Sequence, residues 1–173
     1  MALIVASLDK AVHDRAAFDC GEPALDEFLK SKAAQHQARR VSRTFVLTDS
    51  AQPRRILGYY SLSNSQIARE QLSDEEAKAL PRHPVPAVRL ARLAVGRSEQ
   101  GQRLGQWLLM DAIKRCALVG QQSGVYALVV DAKNEEAKRF YERFGFVAIA
   151  GYPQVLYLPL ETALGSVQVS PFS

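Results

Sequence analysis

The chain has 173 residues, 47% of them hydrophobic and 23% charged, with a formal net charge of +4. That length suits one well-cored domain and is short for two, and no biased tract suggests disorder. The opening MALIVASLDKAVHD carries only a brief apolar run, too short for a secretory or membrane-spanning segment, so a cytoplasmic protein without membrane contact is expected.

A first strand is expected over residues 2–8, then from about Pro23 a helix with Leu25, Phe28, Leu29 and Ala33 on one face. β-Branched and aromatic runs over 41–47 and 56–62, separated by a polar turn containing Pro53, predict a hairpin. Ser73 and Glu76 form a capping box for a short helix ending near Leu80, and PRHPVP breaks the chain before a strand over 87–95. A helix over about 102–118, a strand over 125–131, a helix from Asn134 and two short strands near Val147 and Leu156 follow. The early hairpin with later strand–helix alternation predicts an α/β fold, a mixed and mostly antiparallel sheet flanked by helices. One domain is read over 1–164, with a patternless tail over 165–173.

Cys20 and Cys116 make no metal-ligand spacing and read as buried thiols; His13, His36 and His83 are isolated and read as surface or loop residues. No metal is expected. Between Phe28 and Arg69 stand Lys30, Lys32, Arg39, Arg40, Arg43, Arg54, Arg55 and Arg69 against Asp49 alone, which fits either a solvated basic face or the footprint of an anionic partner.

In LARLAVGRSEQGQRLGQWLLMDAIKRC a strand runs through a glycine-bearing loop into a helix. Backbone N–H groups over 100–105 lack intrahelical acceptors there and the helix dipole adds positive character, which suits a diphosphate; an ordinary tight turn is the commoner explanation of such a loop in isolation. Neither a Walker loop nor GxGxxG is present. Further on, NEEAKRFYERFGF places Ala137, Phe140, Tyr141 and Phe144 on one stripe of a helix capped by Asn134. A tyrosine so placed is more often a core residue than a catalyst.

QGQRLG resembles the coenzyme A loop of the GNAT superfamily of N-acetyltransferases, with Arg103 standing where a motif glycine is usual, and NEEAKRFYERFGF is similar to a second motif of that superfamily. The N-terminal FDCGEPALDEFLKSKAAQHQARRVSRTFVL resembles the GNAT toxins of bacterial toxin–antitoxin pairs, and GYYSLS and RLARLAVG keep the same order. The resemblance implies acetyl-CoA as co-substrate, held at Gln100, Gly101, Gln102, Arg103, Leu104, Gly105 and Gln106, along Leu93, Ala94 and Val95, and by Asn134, Ala137 and Phe140. It makes Tyr141 the donor to the departing sulfur and implies transfer of the acetyl group to the α-amine of an aminoacyl-tRNA. Arg40 and Arg92 would face that substrate. It also implies a ribbon-helix-helix antitoxin, operator DNA bound only through that antitoxin, and leaves a homodimer open. A GNAT enzyme for a small amine or a protein amino group is the alternative, and a non-catalytic coenzyme A-binding module a further one.

Overall fold

The computed structural model describes residues 2–166. Its strands are β1 (Leu3–Ser7), β2 (Arg43–Asp49), β3 (Gly58–Ile67), β4 (Val85–Val95), β5 (Ala127–Asp131), β6 (Val147–Ile149) and β7 (Tyr152–Pro159). Its helices are α1 (Pro23–Glu27), α2 (Ala33–Ala38), α3 (Asp74–Ala79), α4 (Leu104–Gly120), α5 (Glu135–Glu142) and α6 (Leu160–Ser166). The strands form one seven-stranded sheet in the order β1-β2-β3-β4-β5-β7-β6. The pairs β1–β2, β2–β3, β5–β7 and β6–β7 are antiparallel, while β4 and β5 run parallel. A parallel pair needs a long crossover, and α4 supplies it. The mixed, mostly antiparallel sheet expected from the hairpin and the later alternation is therefore present.

The chain divides into two compact units, one of Met1–Ser63 with Ala91–Ala112 and the other of Asn64–Leu90 with Ile113–Ser173. In the first, Phe18, Phe28, Leu29, Val46, Tyr59 and Ala94 belong to one buried cluster, with Phe18 edge-on to Tyr59 at 5.6 Å. In the second, Ile67, Leu72, Val85, Val129, Ile149 and Tyr157 form the core. There Glu76, on α3, accepts hydrogen bonds from the hydroxyls of Tyr126 and Tyr157, which fastens that short helix to its own unit. No helix among the described residues is long and apolar enough to cross a membrane.

Three expectations change. The helix from Pro23 is interrupted by a π-helical turn, Phe28–Lys32, which buries Phe28 and Leu29 while the exposed Lys30 and Lys32 stay outside. The strand expected from residue 87 begins at Val85, so Pro86 lies inside it; Pro86 contributes no donor, and its carbonyl accepts from Tyr126 N–H at 2.8 Å. His13, read as a surface or loop residue, lies in a loop but is buried there, with its Nδ1 accepting the Asp9 N–H at 3.0 Å, and burial lowers its pKa. Helix α6 runs to Ser166, and most of the tail read over 165–173, residues 167–173, lies outside the described ones. Cys20 and Cys116 are free, buried thiols whose pKa values are raised, mainly by burial, to about 11 and about 12.

Candidate active site

The end of β4 and the start of α4, both in the first unit, carry the residues expected along the coenzyme. Ala94 is buried, while Leu93 and Val95 are half-buried. The neighbouring strand approaches closely here: a Cβ on Gly58 would lie 2.8 Å from the Ala94 carbonyl oxygen and 2.9 Å from Leu108 Cδ1, so only glycine fits. Gly96 N–H then donates to the Leu57 carbonyl at 2.8 Å, which fixes where the strand ends and the loop begins.

Two residues of the loop take the left-handed conformation, Gly101 at φ +86° and Arg103 at φ +61°. The position where the motif usually has glycine thus keeps the backbone shape of glycine although it carries a guanidinium, which costs a non-glycine residue about 1–2 kcal/mol. This bend delays α4 to Leu104, two residues after the expected start. Leu104 is buried and anchors the helix start, while Gln102 and Gln106 are exposed. Over 101–106 no backbone N–H has an acceptor among the described residues, and a Cβ on Gly101 would meet nothing within 4 Å. A row of unengaged donors with open space beside it fits a diphosphate, with Arg103 able to pair with its charge. Gln100 differs from its neighbours, because its side-chain amide is turned onto two protein carbonyls, those of Cys20 and Val95.

The second unit carries the tyrosine. Asn134 caps α5, its Oδ1 accepting Ala137 N–H at 2.8 Å, so that oxygen and that N–H serve the helix itself. The helix ends where Gly145 takes φ +93° and Phe146 N–H returns to the Tyr141 carbonyl at 3.3 Å. Tyr141 is 8% exposed, its ring between Phe140 at 5.3 Å and Phe146 at 5.5 Å, whereas Ala137, Phe140 and Phe144 are only half-buried. Its hydroxyl has no hydrogen-bond partner among the described residues. Burial first, and the nearby Asp131 second, push its pKa up to about 12, so it holds its proton throughout the neutral range. Asp131 is itself paired with Arg89. A protonated phenol with an uncommitted hydroxyl is equipped to donate, not to act as a base.

Of the two residues expected to face substrate, Arg92 lies with its guanidinium carbon 3.6 Å from the centroid of the Phe28 ring. Phe28 in turn stacks on Tyr59 at 6.4 Å and meets His36 edge-on at 5.4 Å. The π-helical turn that carries Phe28 therefore aims Arg92, a pairing that residue spacing did not reveal. Arg40 is exposed at the end of α2, in the left-handed conformation at φ +60°. The basic region divides: Arg43 donates to Ser7 Oγ, Arg55 pairs with Glu99, and Arg69 donates twice to the Ala77 carbonyl. Lys30, Lys32, Arg39, Arg40 and Arg54 remain exposed.

Residues 13–155 match the family model of an acetyltransferase (GNAT) domain. A tRNA-acetylating toxin of Mycobacterium tuberculosis is 36% identical over 150 residues, covering 87% of this chain and 88% of that protein. The structure of AtaT complexed with acetyl-methionyl-tRNAfMet is similar at 32% identity with a TM-score of 0.88, covering 94% of this chain and 97% of that one. A tyrosine-to-phenylalanine mutant of AtaT, bound to the C-terminus of the antitoxin AtaR and acetyl-CoA, is similar at 29% identity with a TM-score of 0.80, covering 97% and 99%.

Proposed function

This chain belongs to the GNAT acetyltransferase family, and from that premise we propose that it is a toxin that acetylates the α-amine of an aminoacyl-tRNA and so blocks translation. The observation that carries the reading is the likeness, over 94% of the chain, to a toxin solved with an acetylated aminoacyl-tRNA. Residues 1–164 act as one acetyltransferase domain in the cytoplasm, where charged tRNA is found.

Acetyl-CoA supplies the acetyl group as a thioester. The N–H groups of 101–106 and the Arg103 guanidinium receive its diphosphate, and the backbone of Leu93, Ala94 and Val95 runs along the pantetheine. Asn134, Ala137 and Phe140 border the coenzyme from α5, chiefly by shaping and capping that helix. An α-amine titrates near about 7.7–8.0, so much of the acceptor is a free base at neutral pH and needs no dedicated carboxylate. The Tyr141 hydroxyl donates to the sulfur as the C–S bond breaks. Arg40 and Arg92 hold phosphates of the acceptor end, with the exposed lysines and arginines nearby adding to the same field. A small antitoxin of the ribbon-helix-helix class neutralises the enzyme and makes the operator contacts, and whether the chain acts alone or as a homodimer stays open.

The test incubates the protein with labelled acetyl-CoA and a charged tRNA pool, with uncharged tRNA, spermidine and lysine peptides as controls. Label on the aminoacyl-tRNA alone is expected, with activity falling steeply as salt rises and lost in Arg40→Glu and Arg92→Glu variants that still bind acetyl-CoA. Label on a free amine or a peptide, with none on the tRNA, would replace this reading by an acetyltransferase for small amines or protein amino groups.

A further inference from the structure

The diphosphate loop is held from behind by the N-terminal segment. Gln100 Nε2 donates to the Cys20 carbonyl at 3.1 Å and to the Val95 carbonyl at 3.2 Å. Three residues earlier, Arg97 N–H donates to the Asp19 carbonyl at 2.7 Å. The turn that supplies these acceptors is itself fixed at consecutive residues: Asp26 Oδ1 accepts Cys20 N–H and Asp19 Oδ1 accepts Gly21 N–H, each at 2.9 Å. Gly21 takes φ +90°, and a Cβ there would lie 3.4 Å from Arg97 Nε, so the turn and the loop are in close contact.

Residues 96–99 of the loop line a cavity of about 530 Å³ whose walls also include Phe18, Arg54, Arg55 and Ile56. The Arg97–Asp19 ion pair, at 3.4 Å, is exposed on both sides and contributes little. Arg55, paired with Glu99, and the Gly96 N–H bond to the Leu57 carbonyl hold the loop on its other side; what ties it to the Asp19–Gly21 turn is the Gln100 amide together with the Arg97 backbone bond.

We infer that Gln100 is a positioning residue: its side chain does not touch the coenzyme but sets the loop so that the N–H row beyond it points at the diphosphate. The Asp19–Gly21 turn is the brace against which it does so. The inference rests on the reading that acetyl-CoA binds at 101–106. It also explains why the FDCG stretch and the coenzyme loop belong to one design although they are far apart in the chain. Both acceptors are carbonyl oxygens, so the residue at 100 must donate twice. Arginine can do that; alanine cannot, and glutamate would set a carboxylate against two carbonyls.

The experiment combines steady-state kinetics with amide hydrogen exchange on the full chain. For Gln100→Ala, the loss of two hydrogen bonds should raise KM for acetyl-CoA about tenfold with kcat within about twofold. Gln100→Glu should be worse, and Gln100→Arg should return KM to within about twofold of wild type. In the coenzyme-free protein, the amides of 97–103 should exchange faster in Gln100→Ala than in wild type, and Asp19→Ala combined with Gln100→Ala should cost less than the sum of the two. An unchanged KM overturns the inference. So does a raised KM with unaltered exchange in the free protein, which is the signature of direct contact, and so does an additive double mutant. The underlying reading is tested separately, by whether acetyl-CoA slows exchange over 101–106 in the wild type.

Discussion

Replacing Tyr141 with phenylalanine removes one oxygen, and the structure predicts how the loss divides between stability and rate. The hydroxyl has no partner among the described residues, so no internal hydrogen bond worth about 0.5–1.5 kcal/mol is broken, and the ring keeps its contacts with Phe140 and Phe146. The melting temperature should therefore stay within about 2 °C of wild type. The rate is a different matter. With the phenol pushed up to about 12 and a thiol near about 8.5, complete proton transfer to the departing sulfur is uphill by roughly 3.5 pKa units, close to 5 kcal/mol. On the proposed function, Tyr141 would stabilise the developing thiolate mainly as a hydrogen-bond donor, a role worth about 2.7–4 kcal/mol, or 10²–10³ in kcat. Because the phenol stays protonated to about 12, kcat/KM should rise as the acceptor amine loses its proton and should show no fall before about pH 11. The assay is single-turnover transfer from labelled acetyl-CoA, run beside thermal melts. A Tyr141→Phe enzyme that melts several degrees lower yet turns over normally would refute the argument and return the residue to the core.

Gly58→Ala drives a Cβ against the Ala94 carbonyl, a backbone atom that cannot swing aside, so overpacking should cost about 1–3 kcal/mol, read as a lower denaturation midpoint in urea. A midpoint equal to wild type would mean that the two strands separate there freely. His13, whose pKa burial lowers, is neutral in the fold and takes up its proton more readily once unfolded. Its contribution is present above the ordinary value of about 6.5 and is lost as pH falls below it. Wild type should accordingly lose more thermal stability between pH 7.5 and pH 5.5 than His13→Asn, which keeps an acceptor for the Asp9 N–H; equal losses would place the acid sensitivity elsewhere.

The helices and strands were legible because each carries its own period and its own stop signals: Ser73 with Glu76 before α3, Asn134 before α5, Gly145 after it. The candidate site was legible where local backbone sets the geometry, as in the row of unengaged N–H groups at the start of α4. It was not legible where a side chain's task is set by a distant neighbour. Gln100 sits in a ligand motif, yet its amide is used by Cys20, which lies 80 residues earlier. The Phe28–Arg92 contact likewise depends on a π-helical turn, and nothing in the apolar spacing separates that turn from a regular helix. His13 misled because a lone histidine in a polar stretch gives no sign that a backbone N–H will cap its ring nitrogen.

The first compact unit is discontinuous, built from Met1–Ser63 and Ala91–Ala112. Its buried cluster takes Phe18, Phe28 and Tyr59 from the early stretch but needs Ala94 from the later one, and Arg92 must arrive before the Phe28 face is covered. During synthesis the ribosome, at about 5–20 residues per second, must therefore run for several seconds after Ser63 before this unit can close. A nascent chain halted at residue 90 holds every buried member of this cluster except Ala94 and lacks Arg92 over Phe28, an incomplete core that protease digestion of stalled chains would reveal. A chain that stops short of Ala112 thus leaves this unit unfinished.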